Sequence, residues 1–174
     1  MDKSRWNSFY HQLREILSVP CETILEIGVG TGILGAVLKK LGYAYDSMDI
    51  DPKLEPTYVG SILEMPFEKD KYNVIGCFQV LEHLPFENFP AALRELFRVA
   101  QHAVIISLPN AKKVWPICIH VPKVGSKKFL ISNPFRGPRE HVFDGEHYWE
   151  IDKKGYSQSK VQTIIMDIAK ENGF

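Results

Sequence analysis

The chain predicts an α/β fold in three layers, built on a doubly wound, mostly parallel sheet of about five strands. Three observations carry this. Short apolar runs rich in branched side chains, such as Ile24-Leu25 and Val74-Ile75, suit strands buried on both faces. Longer stretches with apolar residues at helical spacing separate them. Gly28, Gly30 and Gly32, at alternate positions, end the first strand abruptly and deliver the chain into a helix.

The elements follow in chain order. Residues 4–18 place Trp6, Phe9, Leu13, Ile16 and Leu17 on one helical face, leave Arg14 and Glu15 outside it, and stop at Pro20. Ile24, Leu25 and Ile27 form the first strand. Ile33, Leu34, Val37, Leu38 and Leu41 make the next helix, with Gly42 as its stop. Tyr43 to Met48 alternates into a second strand that ends at Asp49-Ile50-Asp51-Pro52, and Tyr58 to Ile62 gives a third. Tyr72 to Phe78 is another buried strand. Phe89, Leu93, Leu96, Phe97 and Ala100 define an amphipathic helix that leaves Arg94, Glu95 and Arg98 in solvent. Ala103 to Leu108 is the fifth strand, and Val161, Ile164, Ile165 and Ile168 lie on a last helix stopped by Asn172-Gly173.

With 174 residues the chain has enough length for one domain with a real core. Its parts are an N-terminal helix (1–20), a core (21–110), an irregular segment (111–150) and the last helix (151–174). Twenty-one basic residues balance 21 acidic ones, so no global charge draws the chain to nucleic acid or to an anionic membrane. The apolar runs are far shorter than a bilayer span, and Met-Asp-Lys-Ser-Arg is not a signal peptide. Cys21, Cys77 and Cys118 are scattered and odd in number, which fits reduced thiols in a cytoplasmic protein.

The glycine turn narrows the ligand. Bare backbone and a helix N-terminus can approach a bound group where no Cβ intervenes. A dinucleotide site would want glycine at position 33, which is isoleucine, and a P-loop would need Gly-Lys-Ser/Thr. Glu26 just before the turn would repel a pyrophosphate and suit a cation. An acidic residue closing the next strand, here Asp49, can accept both hydroxyls of a ribose.

Glu26-Ile-Gly-Val-Gly-Thr-Gly32 resembles the first motif of the class I S-adenosylmethionine-dependent methyltransferases. Asp49-Ile-Asp-Pro resembles their second motif, and Tyr72-Asn-Val-Ile followed by Val80-Leu-Glu-His-Leu resembles the fourth, with Asn73 in place of the usual aspartate. The resemblance implies a Rossmann-like fold, S-adenosylmethionine as cofactor, and methyl transfer by in-line displacement. It implies cofactor contacts from Glu26, Gly28, Gly30, Gly32, Asp49 and Ile50. Ser61 and Ile62 would flank the adenine, although the family usually carries a carboxylate or amide where Ser61 stands. Gln79 would sit beside the methionine end. Tyr10 and Arg14 of the leading helix would belong to a lid. The family also continues into two more strands that are missing here, which implies an uncovered sheet edge, met either by pairing with a second copy or by chain beyond residue 174.

His83 is the candidate general base or acceptor-pocket wall, since imidazole titrates near neutral pH. A histidine that satisfies backbone at a helix start is the alternative. Alignment of acceptor and methyl can by itself lower a barrier by roughly 7–11 kcal/mol, so a strong base is not obligatory. The 111–150 segment holds Pro116, Pro122, Pro134 and Pro138 and no sustained period, and the resemblance places it over the acceptor as a substrate lid. Lys112, Lys113, Lys123, Lys127, Lys128, Arg136 and Arg139, interleaved with Trp115, Phe129 and Phe135, offer RNA as a second acceptor class beside a small molecule. His141 to Glu150 carries two histidines, Asp144 and Glu146, but their spacing matches no helical zinc motif, so no metal is assigned. A non-catalytic module of the same fold and a nucleotide-type oxidoreductase, which Ile33 argues against, are the remaining alternatives.

Overall fold

The computed structural model describes residues 3–112, 114–121, 125–132 and 137–174, with side chains for 5–112 and 137–174. Five strands, β1 (Thr23–Ile27), β2 (Ala44–Asp49), β3 (Tyr58–Val59), β4 (Tyr72–Phe78) and β5 (Ala100–Ser107), form one sheet in the order β3-β2-β1-β4-β5. Every neighbouring pair is parallel. The order reverses between β1 and β4, so the loops leaving these two strands diverge and open a crevice at their C-terminal ends.

Alternation along the strands assigns the layers. Leu25 and Ile27 of β1 and Ile75 and Cys77 of β4 face Phe89, Leu93 and Leu96 of α3 (Phe89–Val99) and Val161 and Ile168 of α4 (Gln158–Glu171). Ile24 and Phe78 turn the other way, to Phe9 and Ile16 of α1 (Lys3–Leu17) and Leu34 and Leu38 of α2 (Ile33–Lys40). Each such fully buried side chain contributes about 1.5–3 kcal/mol by leaving water. The stripe on α1 is narrower than the sequence pattern suggests. Trp6 and Leu17 are exposed, because a helix lying on a sheet buries the Phe9–Leu13–Ile16 line and leaves its flanks in solvent. Trp6 leans on Phe9 instead, with ring centroids 5.5 Å apart.

Two elements differ from expectation. The third strand keeps only Tyr58–Val59; Ser61 Oγ then accepts the Leu63 N–H at 3.2 Å and turns the chain out of the sheet. The 111–150 segment is not irregular throughout. Val114–Val121 (β6) and Gly125–Ser132 (β7) form an antiparallel hairpin in unbroken register from Val114↔Ser132 to Val121↔Gly125. Pro116 obscured it, yet a two-stranded ribbon turns every second N–H outward, where proline costs no ladder bond. Lys113, Pro122, Lys123, Pro134, Phe135 and Arg136 lie outside the described residues, as do the side chains of Trp115, Cys118, Lys127, Lys128 and Phe129. The chain then returns to the sheet: Ala111 donates to the Ile151 carbonyl at 2.9 Å. Trp149 is fully buried against Phe86, Phe89 and Tyr156. No other strand lies beyond β5 among the described residues.

Glu95 and Arg98 also depart from the solvated face expected of α3. Arg98 donates to the carbonyls of Phe67 at 2.6 Å and Met65 at 3.1 Å while pairing with Glu95 at 2.6 Å. Glu95 accepts the Met65 N–H at 2.8 Å. Together they clamp the β3–β4 loop to the helix. Charged hydrogen bonds of this kind contribute about 1.5–3 kcal/mol each. We therefore expect Arg98→Ala to lower unfolding free energy by at least ~1.5 kcal/mol in a denaturant titration, where a solvated arginine would cost below ~0.5 kcal/mol.

Candidate active site

A cavity of about 830 Å³ occupies the crevice at the C-terminal ends of β1, β2 and β4. Its walls come from the glycine turn (Ile27, Gly28, Gly30), the end of β2 (Met48 to Asp51), the loop after β3 (Gly60 to Ile62) and the loop after β4 (Phe78 to Val80, His83, Leu84), with Glu146 at the far side. A second cavity of about 380 Å³ lies on the α1 side of the turn. The two share Gly28, Gly30, Phe78 and Gln79, so they adjoin across it.

The turn is held by positive backbone φ at Gly28 (84°), Gly30 (53°) and Gly32 (70°), a region that side-chain-bearing residues rarely adopt. A Cβ on Gly28 would lie 2.3 Å from Val80 Cγ2, while one on Gly30 would meet nothing within 4 Å and would project into open space. Gly28 donates to the Met48 carbonyl at 2.9 Å. One oxygen of Asp49 accepts the Val29 N–H at 2.8 Å and the other accepts the Asp51 N–H at 2.9 Å. Asp49 thus ties the turn to the end of β2, and each oxygen keeps lone-pair capacity for a ligand hydroxyl.

Glu26 faces the opposite side of β1 from Leu25 and Ile27 and lines the smaller cavity with Arg5, Ser8 and Gln12. It is buried, and the Tyr45 hydroxyl donates to it. Burial pushes its carboxyl from an ordinary value near 4.5 up to about 7, with the neighbouring Asp49 charge adding and the Tyr45 hydrogen bond opposing. Burial, and then the Glu26 charge, likewise raises the Tyr45 phenol. Gly35 of α2 makes this arrangement possible, since a Cβ there would sit 2.5 Å from the Tyr45 ring. Its signal in the sequence was an isolated glycine inside a helical pattern.

At the other end, Gln79 holds a positive φ of 56° and donates from Nε2 to Ser107 Oγ at 3.2 Å. A non-glycine residue kept in the left-handed region beside a cavity is the kind of strain that surrounding contacts must maintain. His83 sits on a short 3-10 turn, Leu81–His83, with Nδ1 2.9 Å from the Glu146 carbonyl. A carbonyl only accepts, so Nδ1 carries the proton and Nε2 keeps its lone pair in the neutral ring. Its ring stands edge-on to His147, 5.0 Å away. Beneath them Glu82 is fully buried, and neither carboxylate oxygen has a hydrogen-bond partner. Burial raises its pKa, while its own backbone N–H, His83 and His147 pull the other way and the Glu150 charge adds to the rise.

The structure therefore brings Gly28, Gly30, Asp49, Ile50, Ser61, Ile62, Gln79 and His83 around one cavity, with Ile50 three-quarters exposed at its rim. Glu26 lies in the adjoining one, and Gly32 lines neither; it caps α2, accepting the Ala36 N–H at 3.1 Å. Tyr10 and Arg14 are turned away: Tyr10 is exposed beside His11, and Arg14 pairs with Glu15. Arg5, Ser8 and Gln12 form the face of α1 that looks at the turn. Glu146 and His147 could not be placed at the site from sequence, because only the fold sets them against His83, more than 60 residues earlier.

Among curated proteins, none matches this sequence. Solved structures share its fold. The small RNA methyltransferase HEN1 superposes with a TM-score of 0.64 at 15% identity, over 98% of this chain and 22% of that one. The PH0226 protein of Pyrococcus horikoshii OT3 gives 0.60 at 12% identity, over 94% and 80%. The magnesium protoporphyrin IX methyltransferase of Synechocystis PCC 6803, solved with bound SAH, gives 0.52 at 20% identity, over 60% of this chain and 56% of that one. The chain thus spans about half the length of that enzyme. The family model described as a methyltransferase domain matches residues 3–155, and the chain belongs to that family.

Proposed function

We propose that this chain transfers a methyl group from S-adenosylmethionine to a small-molecule acceptor. The observation that supports this most directly is the single cavity on which the glycine turn, Asp49 and the Ser61–Ile62 pair converge, with His83 and Glu146 at its opposite end. Its volume is near the top of the ~300–1,000 Å³ range of small-molecule sites, which leaves space for an acceptor beside a nucleoside.

The residues present fit the cofactor. Gly28 and Gly30 offer a floor that any Cβ would crowd or fill. Asp49 presents carboxylate oxygens suited to ribose hydroxyls. Ile62 and Met48, both buried, give an apolar wall for a flat base, and Ser61 Oγ already accepts from Leu63. Glu26 supplies negative charge across the turn for the amino-acid end. When bound, S-adenosylmethionine supplies a methyl group activated by its sulfonium, for in-line displacement. The chain's own part is to orient, exclude water and take up a proton at His83 Nε2, with the β4 loop and Glu146 closing the acceptor end.

Asp49→Ala should weaken binding of S-adenosylhomocysteine at least tenfold in calorimetric titration, about 1.4 kcal/mol. It should also lower stability by roughly 1–3 kcal/mol, because the Val29 and Asp51 N–H groups lose their acceptor. Affinity equal to wild type would overturn the assignment.

Glu26 makes a pH prediction. Its folded pKa is raised, so between about pH 4.5 and 7 the folded chain keeps a proton that the unfolded chain has released. Stability should therefore fall as pH rises through that window and level off above it. Glu26→Gln should remove this slope. A ligand ammonium near Glu26 favours the carboxylate, so binding of S-adenosylhomocysteine at pH 6.5 should release protons. The release is read from titration enthalpies in buffers of different ionisation heat. Identical enthalpies in all buffers would remove Glu26 from the cofactor site.

A further inference from the structure

The buried Glu82 carboxylate is not explained by the cofactor site. An ionised carboxylate without a hydrogen-bond partner is costly in a dry interior, by several kcal/mol, unless a cation faces it. Among the described residues no lysine or arginine pairs with it; the charges that act on it are those of His83 and His147, with Glu150 opposing them. One ligand atom each from Glu82, His83 and His147 lie within 4.8 Å of one another. We infer that Glu82, His83 and His147 form a site for one divalent first-row transition ion at the acceptor end of the cavity.

The orientation of the two imidazoles supports this. Histidines that bind a metal through one nitrogen usually give the other N–H to a carbonyl or carboxylate, which fixes tautomer and ring. His83 gives Nδ1–H to the Glu146 carbonyl at 2.9 Å. His147 turns Nδ1 towards Glu150, 3.5 Å from Oε1, and towards Asp144, 3.9 Å from Oδ2. His83 thereby keeps Nε2 for a ligand, while His147 Nδ1 makes no hydrogen bond, so either of its nitrogens can turn to one. The loop that brings His147 into place is itself tied down: Asp144 accepts the N–H groups of Glu146 and His147, and Tyr148 donates to the Glu82 carbonyl at 2.8 Å. Two imidazoles with one carboxylate suit manganese, iron, cobalt or zinc better than magnesium or calcium, which prefer all-oxygen sites. No local spacing in the sequence points to this set, because it joins the β4 loop to the returning segment.

The site also narrows the acceptor, a step that rests on the methyl-transfer reading. His83 and Glu146 line the cavity, so an ion held there would face the acceptor. It would bind an acceptor hydroxyl or phenol and lower its pKa, the proton passing to solvent. His83 is then a ligand, and its Nε2 no longer serves as a base.

The test is calorimetric titration of the metal-free chain with Mn²⁺, with Co²⁺ absorption as a second readout, on wild type, Glu82→Gln and His147→Gln. S-adenosylhomocysteine is titrated in parallel. Wild type should take up one Mn²⁺ per chain, and each variant should bind it at least about tenfold more weakly. His147 is partly exposed, so His147→Gln should fold even if Glu82→Gln does not. Absence of stoichiometric Mn²⁺ uptake by a wild type that binds S-adenosylhomocysteine would overturn the inference. So would His147→Gln that binds Mn²⁺ as tightly as wild type. Mn²⁺ binding lost in His147→Gln, in a chain that ignores S-adenosylhomocysteine, would uphold the metal site and defeat the methyl-transfer reading.

Discussion

The Asp49 carboxylate holds the Val29 N–H at 2.8 Å, and the functional end of the sheet depends on that bond. β1 runs buried until Ile27, and the chain must then reverse into α2 without stranding its backbone groups. Left-handed glycines permit the reversal, but they do not direct it, because glycine is free to go either way. The carboxylate selects one path by bonding Val29, while Gly28 bonds the Met48 carbonyl one residue earlier on the same strand. Two neighbouring strands and the turn between them become one rigid corner. The cavity is the space that corner leaves beside β4.

Around this corner the chain keeps two carboxylates where water cannot easily reach them, and it handles them differently. Glu26 is buried but partnered, with the Tyr45 hydroxyl directed at it past a glycine on the overlying helix. It is stabilised in a form close to the balance between proton and charge, so a ligand cation nearby can tip it. Glu82 has no hydrogen-bond donor from another described residue and looks instead at two imidazoles. A fold that needed only packing at that position would accept an apolar residue more cheaply. Glu26 lines the smaller cavity beside the turn, whereas Glu82 lies next to His83, which lines the larger one.

The 137–151 segment links site and core. Trp149 fills the space between α3 and the Leu81–Asn88 region, and Ile151 bonds the chain leaving β5. His147 sits two residues before that anchor, so its place against His83 is set by packing, not by a flexible tail. Likewise the Glu95–Arg98 pair fixes the loop that follows the Ser61–Ile62 wall of the cavity. No described helix is long and apolar enough to cross a membrane.

What the sequence determined by itself was local and periodic. The doubly wound class, four of the five sheet strands, the glycine turn, Asp49 at the end of β2 and the cavity-lining run after β4 were all legible, because each is written in consecutive residues. β3 was placed but drawn too long, since an edge strand stops where its hydrogen bonds do. The hairpin β6–β7 was hidden by Pro116, which a two-stranded ribbon can accommodate. The tertiary structure alone decided which face of α1 looks at the turn, that Glu95 and Arg98 are clamps, and that Trp149 is core. It alone set Glu82 and His83 against His147. Those contacts join residues far apart in the chain, and no spacing rule encodes a distance that exists only after the sheet has formed.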